Sequence, residues 1–236
     1  MKTTYDSFNQ DALNKGGYVY ASDEKLSCCV SNHRQTDSIL KIIDFHNKKV
    51  IDFGCGDGVF TTQLFDLGKP VSIVGIDLAV EAIKVAQAKV GERDITYAVE
   101  SVYALPYKSN EFDVAHVRAM LHHLDTPDLA IKEALRVAPT IVVLEPNGYN
   151  LILKIIEQLS PYHREHSEKS FAPNSLDRWV KAAGGKVVAR QWIRLVPYFC
   201  PDWMVRILRV FEPIVERIPL VNRVACGVYV FVAVRA

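Results

Sequence analysis

Residues 50–58 read Val50-Ile51-Asp52-Phe53-Gly54-Cys55-Gly56-Asp57-Gly58, and the stretch from Val59 to Leu67 follows directly. A short apolar run that stops at a glycine cluster and gives way to a helical pattern is a strand, a tight loop and a helix. The same unit recurs on both sides of the loop. Ser72 to Ile76 is a second strand, followed by a helix over Ala79 to Val90 with Val80, Ile83 and Val90 on one face. Ile95 to Val99 and Phe112 to Val117 are the third and fourth strands, Pro127 to Val137 the next helix, and Thr140 to Leu144 the fifth strand. Strands alternating with helices need crossover connections, which give a parallel sheet covered on both faces. Further on, Asn174 or Ser175 caps a helix that stops at Gly184 and Gly185, and Lys186 to Ile193 and Val228 to Val234 close the sheet as two last strands.

Two stretches break that rhythm, Asn147 to Pro173 and Leu195 to Arg223. The second sets Trp203, Ile207, Val210 and Ile214 on one side of a helix and Arg206, Arg209, Glu216 and Arg217 on another, with a break expected near Pro213. The apolar stripe reads as core, with contact at a membrane surface as its second use. The segment before Asn47 has a helical pattern around Ile39, Leu40 and Ile43 and is expected to fold over the sheet edge.

The chain has 236 residues, 49% hydrophobic and 23% charged, which is ordinary globular usage and excludes disorder. Its longest apolar run, Val224 to Val234, has 11 residues, short of the roughly 18 of a membrane-spanning helix. Met1 to Gln10 is polar and lacks the apolar stretch of a secretory signal, so a cytoplasmic location is expected. Five cysteines, with Cys28 and Cys29 adjacent, show no disulfide or zinc spacing and are expected to be thiols. The formal net charge is +1, but 13 Lys+Arg against 7 Asp+Glu from Leu151 onward give +6, against −5 for the preceding 150 residues. No basic run or aromatic-interleaved motif marks a nucleic-acid site.

The glycine loop lets a ligand press against backbone at the start of a helix. A dinucleotide fingerprint would carry its last glycine where Val59 stands. Asp52 and Asp57 would also repel a pyrophosphate and attract a cation. Gly75-Ile76-Asp77 places a further carboxylate at the end of the second strand, where it can accept both hydroxyls of a ribose. A nucleoside with a cationic head fits all three acids.

These residues, with Ala104-Leu105-Pro106-Tyr107, Glu111-Phe112-Asp113-Val114, Leu121-His122-His123-Leu124 and Leu144-Glu145-Pro146, resemble the class I S-adenosylmethionine-dependent methyltransferases, in particular those of small molecules, quinones and lipids. The resemblance spans roughly Lys48 to Pro146. It implies a Rossmann-like, mostly parallel seven-stranded sheet with helices on both faces and an antiparallel last strand, plus helical additions after strand 5 and between strands 6 and 7. It implies a single methyltransferase domain over residues 1–236, with an N-terminal helical lid (1–47), a donor-binding core (48–146) and acceptor-site additions (147–173 and 195–223). S-adenosylmethionine would be the cofactor, its methionine part held by Asp52 and the backbone of Gly54, Gly56 and Gly58, with Cys55 in the same loop. Asp77 would hold the ribose, with Leu78 under the adenine. Ser101, beside Val102, stands where the family has an aspartate bonded to the adenine amino group.

Other candidates follow from position. Arg118 after the fourth strand can meet the donor's carboxylate with its fork of donors. His122 and His123 are candidate general bases, and Glu145 and Asn147 end the fifth strand where an acceptor is oriented. Asp113 reads as a structural carboxylate, and Tyr18 and Tyr20 as surface-packing residues, with a place over the donor as part of the lid as their second use. His163 and His166 lack a third ligand, so no metal site is expected. The leading expectation is methyl transfer to a small, partly apolar acceptor, lipid-like or with an anionic end suited to Arg194, Arg206 and Arg209, with peripheral membrane contact as an accompanying expectation. The competing readings are a catalytically silent donor-binding sensor or partner subunit, and a nicotinamide-dependent oxidoreductase disfavoured by Asp57 and Val59.

Overall fold

The computed structural model describes residues 25–159 and 169–236. Tyr18, Tyr20, His163 and His166 lie outside the described residues. The strands are β1 (Lys49–Phe53), β2 (Ser72–Asp77), β3 (Ile95–Val99), β4 (Val114–Arg118), β5 (Thr140–Pro146), β6 (Gly185–Ile193) and β7 (Val228–Arg235). The helices are α1 (Leu26–Ile42), α2 (Val59–Gly68), α3 (Val80–Lys89), α4 (Pro127–Val137), α5 (Leu151–Leu159), α6 (Pro173–Ala182), α7 (Asp202–Val215) and α8 (Val221–Ala225). Leu121–His123 forms a 3-10 turn after β4.

The strands form one sheet in the order β3-β2-β1-β4-β5-β7-β6, and only β7 runs antiparallel to its neighbours. The chain passes from β1 to β2 in one direction along the sheet and from β4 to β5 in the other. The point between β1 and β4 is therefore the topological switch, outside whose carboxyl ends open α/β sheets place their ligand crevice. The glycine loop and Arg118 lie at these two strand ends. The expectation that the last two strands close the sheet side by side holds with one refinement: β7 slots between β5 and β6, and β6 is the edge.

Both faces of the sheet are covered, which is why its strands read as continuous apolar runs. Ile51, Phe53, Val117 and Val143 pack with Ile131 and Leu135 of α4 and Leu176 and Val180 of α6. On the other face Val50, Val114, Val142 and Val230 pack with Ile39 of α1, Leu64 of α2 and Ile83 of α3. The alternation along β1 sends Asp52 to the second face, toward α2.

Three sequence expectations are corrected. α1 lies on a sheet face, against β5, β6, β7 and α2, and not over an edge. Ile39 draws it there, yet its buried side is mostly polar: Ser27, Ser31, Asn32, Gln35, Thr36 and Ser38. α7 is not broken at Pro213 but runs through it to Val215. The third correction concerns the α7 stripe, which is not core. Met204, Val205 and Leu208 face inward with Val196, Cys200, Leu26 and Val30, and Glu212 is buried on that side. Trp203, Ile207, Val210 and Ile214 face outward, with Trp203 63% and Val210 68% exposed. The helix carries apolar residues on two sides, and the narrower side meets the protein.

Candidate functional site

The loop after β1 is built from left-handed backbone, with φ of +70° at Gly54, +54° at Gly56 and +76° at Gly58. A Cβ at Gly54 would stand 2.4 Å from Met120 Cγ, so glycine is required there by space as well as by conformation. The loop's amides are already engaged. Gly54 and Cys55 N–H donate to Ile76 O at 2.8 and 3.0 Å, and Gly58 N–H donates to Cys55 O at 3.1 Å. Gly56 N–H donates to Asp77 Oδ2 at 2.9 Å. A phosphate cradle needs amides pointing outward, and these point inward. Glycine at 54 and 58 is instead required by close packing, since a Cβ at Gly58 would stand 2.6 Å from Tyr97 OH. Cys55 is buried among the acids, and burial first, then Asp52, pushes its thiol well up, so it stays protonated.

Asp77, at the end of β2, has Oδ1 bonded by Ala79 N–H at 2.8 Å and Oδ2 by Gly56 N–H. Burial raises its pKa, with Asp52 adding to the rise and the backbone donors opposing it. The half-buried Leu78 and Ser101 and the buried Val102 belong to the same side of the sheet, at the ends of β2 and β3. Ser101 Oγ accepts Tyr103 N–H at 3.4 Å.

Asp52 is buried and both its oxygens are occupied: Thr61 Oγ1 donates to Oδ2 at 2.6 Å, and His116 Nδ1 lies 2.7 Å from Oδ1. A carboxylate only accepts, so His116 Nδ1 carries the proton and Asp52 is locked beneath the loop. Asp57, also buried, accepts Val59 N–H at 3.4 Å. Two further carboxylates thus flank the loop beside Asp77.

Arg118 is a buried cation with no carboxylate in ion-pair reach among the described residues. Its guanidinium stacks 3.5 Å from the Phe60 ring centre and donates to Thr36 Oγ1 at 2.9 Å and Asn32 O at 3.5 Å. Burial lowers its pKa from 12.5 to about 10, with Arg194 pushing the same way and Tyr198 and Asp52 opposing. Neutral oxygens do not offset the cost of burying a charge, which suits a site that receives an anion.

His122 and Glu145 meet at the ends of β4 and β5. Glu145 is fully buried: Oε1 accepts the N–H groups of Met120 and Leu121 at 2.9 and 2.8 Å, and Oε2 lies 2.8 Å from His122 Nδ1. The carboxylate fixes the tautomer with the proton on Nδ1 and the lone pair on Nε2. His123 packs beside it, ring centres 3.9 Å apart. Both oxygens of Glu145 are therefore engaged within the protein, one by backbone and one by His122. Asn147, expected beside it at the acceptor, bonds Arg223 O and Cys226 O at 2.7 and 2.8 Å and fastens β5 to α8. Asp113 caps the start of β1, accepting Lys49 N–H at 2.8 Å.

His122 lines a cavity of about 400 Å³ whose walls come from α5, α7 and the segment after β6, including Ile152, Leu153, Tyr198, Met204 and Leu208. The walls are mainly apolar, with Arg194 among them. Arg194 adopts φ +67°, its guanidinium lies 4.5 Å from the Tyr198 ring centre, and its buried Nε has no hydrogen-bond partner. Gly227 makes room for it, since a Cβ there would stand 2.9 Å from Nη2. The two nearby glutamates are committed elsewhere, Glu212 to Leu195 N–H and Glu216 to Arg34 and Arg194 N–H. Among the described residues no cluster of metal-ligating side chains occurs.

Sequence reading missed His116 and the polar face of α1. Gln35 Nε2 donates to Tyr198 OH at 2.7 Å, Tyr198 OH donates to Asn32 Oδ1 at 3.1 Å, and Thr36 donates to Gln63 Oε1 at 2.6 Å. The spacing of Asn32, Gln35 and Thr36 puts them on one helical face, and that was a readable signal.

A buried-side carboxylate at the end of β2, a buried arginine at the end of β4 and an apolar cavity lined by a histidine, set on this sheet, suit a nucleoside-dependent group-transfer enzyme. The family model described as "Methyltransferase domain" matches residues 51–152. The ubiquinone biosynthesis O-methyltransferase of Burkholderia thailandensis is 29% identical over 181 residues, covering 67% of this chain and 75% of that protein. Its counterpart in Paraburkholderia phymatum is 36% identical over 100 residues, 39% of this chain and 42% of that protein. Among solved structures, magnesium protoporphyrin IX methyltransferase from Synechocystis PCC 6803 shares the fold at TM-score 0.69 and 15% identity, covering 98% of both chains. The 4+2 cyclase SpnF does so at TM-score 0.71 and 19% identity, covering 99% of this chain and 97% of that one. The methyltransferase domain matched at residues 51–152, the relatives and the shared fold together support a class I S-adenosylmethionine-dependent methyltransferase.

Proposed function

We propose that the protein transfers a methyl group to a hydroxyl of a small, partly apolar acceptor with an anionic end, held in the cavity lined by His122. The observation that carries this reading is the His122–Glu145 pair: a buried carboxylate lies 2.8 Å from Nδ1 of an imidazole that lines an apolar cavity. The O-methyltransferases among the relatives act in ubiquinone biosynthesis, and they support a small-molecule oxygen acceptor for this chain.

S-adenosylmethionine, when bound, supplies a methyl group on a positively charged sulfur. Asp77 would accept the ribose hydroxyls, Leu78, Ser101 and Val102 would enclose the adenine, and Arg118 would pair with the donor's carboxylate. Asp52 and Asp57 give the loop a negative field suited to the cation, with Asp52 held by Thr61 and His116. His122 Nε2 takes the acceptor's hydroxyl proton, and Glu145 stabilises the imidazolium that results. Arg194 holds the anionic end away from the donor. Aligning the two reactants supplies most of the acceleration, because well-oriented pairs reach effective molarities on the order of 10⁵–10⁸ M.

The test is calorimetry with S-adenosylmethionine, followed by turnover of hydroxylated apolar compounds read as demethylated donor. Donor binding with turnover lost in His122→Asn supports the reading. No donor binding by folded protein ends it, and donor binding with turnover indifferent to His122 removes the base.

A further inference from the structure

The outward face of α7 has no counterpart among the described residues. Trp203, Ile207, Val210 and Ile214 lie on one side of the helix at i, i+4, i+7 and i+11, each more than half or nearly half open to solvent. Leu151, 71% exposed, and Ile155 are open to solvent on α5, which supplies another wall of the cavity. Ile152 and Phe199 are both exposed and part of the cavity lining, so the apolar surface continues into the cavity mouth. Isolated exposed leucines are ordinary; a stretch spread over two helices around one opening is a contact surface.

Charge selects the occupant. Arg206 and Arg209 follow the outward stripe along one flank of α7, and Arg217 stands just past its end; all three are exposed and none has an ion pair among the described residues. An apolar face with aromatic and branched residues, bordered by arginines, suits the headgroup region of an anionic bilayer. A second copy of the chain meeting this face through a two-fold axis would set the same unpaired arginines against each other.

We propose that the α5–α7 face docks on anionic lipid, with the cavity mouth against the bilayer so that an apolar acceptor passes from lipid to His122 without crossing water. The docking itself is independent of the methyl-transfer reading.

The experiment is sedimentation of the full chain with vesicles of phosphatidylcholine, or of phosphatidylcholine mixed with phosphatidylglycerol. The wild type is expected to bind the mixed vesicles, and less well as salt rises. At about 1 kcal/mol per arginine, Arg206→Gln with Arg209→Gln should weaken binding about 30-fold. Val210→Asp with Ile214→Asp should abolish it, while circular dichroism and donor affinity stay at wild-type values. Wild type that ignores mixed vesicles, or variants that bind as well as wild type, overturn the proposal. So does self-association that the aspartate pair dissolves in protein that binds no lipid. Loss of donor binding alone, with vesicle binding intact, counts only against the methyl-transfer reading.

Discussion

Replacing Arg118 by methionine should move two quantities in opposite senses. In the ligand-free protein the guanidinium is buried against Phe60 with only neutral acceptors, Thr36 and the Asn32 carbonyl. Its descent from 12.5 to about 10 amounts to roughly 3 kcal/mol of disfavour for the charged form. The sign follows from proton binding: above pH 10 the unfolded chain holds the proton that the folded chain gives up, so this group's penalty is fully present at neutral pH and is relieved as pH rises through 10. Methionine fills similar apolar space without that penalty, so the thermal midpoint of ligand-free protein should stay level or rise. Donor affinity should fall, because a charge-assisted pair to a carboxylate contributes about 1.5–3 kcal/mol, or roughly 10- to 150-fold. Differential scanning calorimetry reads the first quantity and isothermal titration the second. Methylthioadenosine, which lacks the amino-acid portion, supplies the internal control: its affinity should be the same in both proteins. The reasoning fails if S-adenosylmethionine binds Arg118→Met as tightly as wild type, or if methylthioadenosine weakens to the same extent. A midpoint that drops by several degrees would show that the bonds to Thr36 and Asn32 outweigh the buried charge.

Glu145→Gln should leave donor affinity unchanged and lower turnover about 10²-fold or more, since the amide cannot stabilise an imidazolium; His122→Asn should do the same, and the double variant should be no worse than either. Kinetics on the three proteins decide it, and additive losses would refute a shared unit. Asp77→Asn should lower the midpoint of ligand-free protein, because an amide nitrogen cannot accept one of the two backbone N–H groups, and only part of the loss is offset by removing a charge that burial disfavours, burial lifting the folded carboxyl above its usual range. Its ionised form therefore costs the fold stability at neutral pH, and that cost fades as pH falls through the raised value; donor affinity, read by titration, should fall in the variant and in wild type over the same acid range. Arg194→Gln should raise KM for acceptors bearing a carboxylate about 10-fold and leave their amides unaffected, checked with matched pairs; equal KM changes would place the charged end elsewhere.

The alternation of apolar runs with helical patterns made the parallel part of the sheet legible, because strands such as Val114–Arg118 are buried on both faces and leave little polar interruption. The loop was legible for a different reason: three glycines between a strand and a helix have few uses, and Gly54 has no alternative with Met120 so close. What stayed hidden depended on pairs distant in sequence. Asp52 and His116 are 64 positions apart, yet adjacent in sheet register, and only that register shows the carboxylate to be occupied. Glu145 likewise gave no sign from composition that both oxygens turn inward. The α7 stripe misled because an amphipathic pattern does not say which apolar side meets the protein, and Glu212 on the buried side is an exception to the rule that carboxylates face water.

The seating of β7 between β5 and β6 bears on how the chain emerges from the ribosome. Of the seven strands it is made last, yet its neighbours β5 and β6 each keep an open hydrogen-bonding rim until it arrives. Both rims are long, and β5 is almost wholly apolar. A nascent chain halted before Val228 therefore holds two adhesive strands apart across a missing partner, a form suited to capture by chaperones or by another such chain.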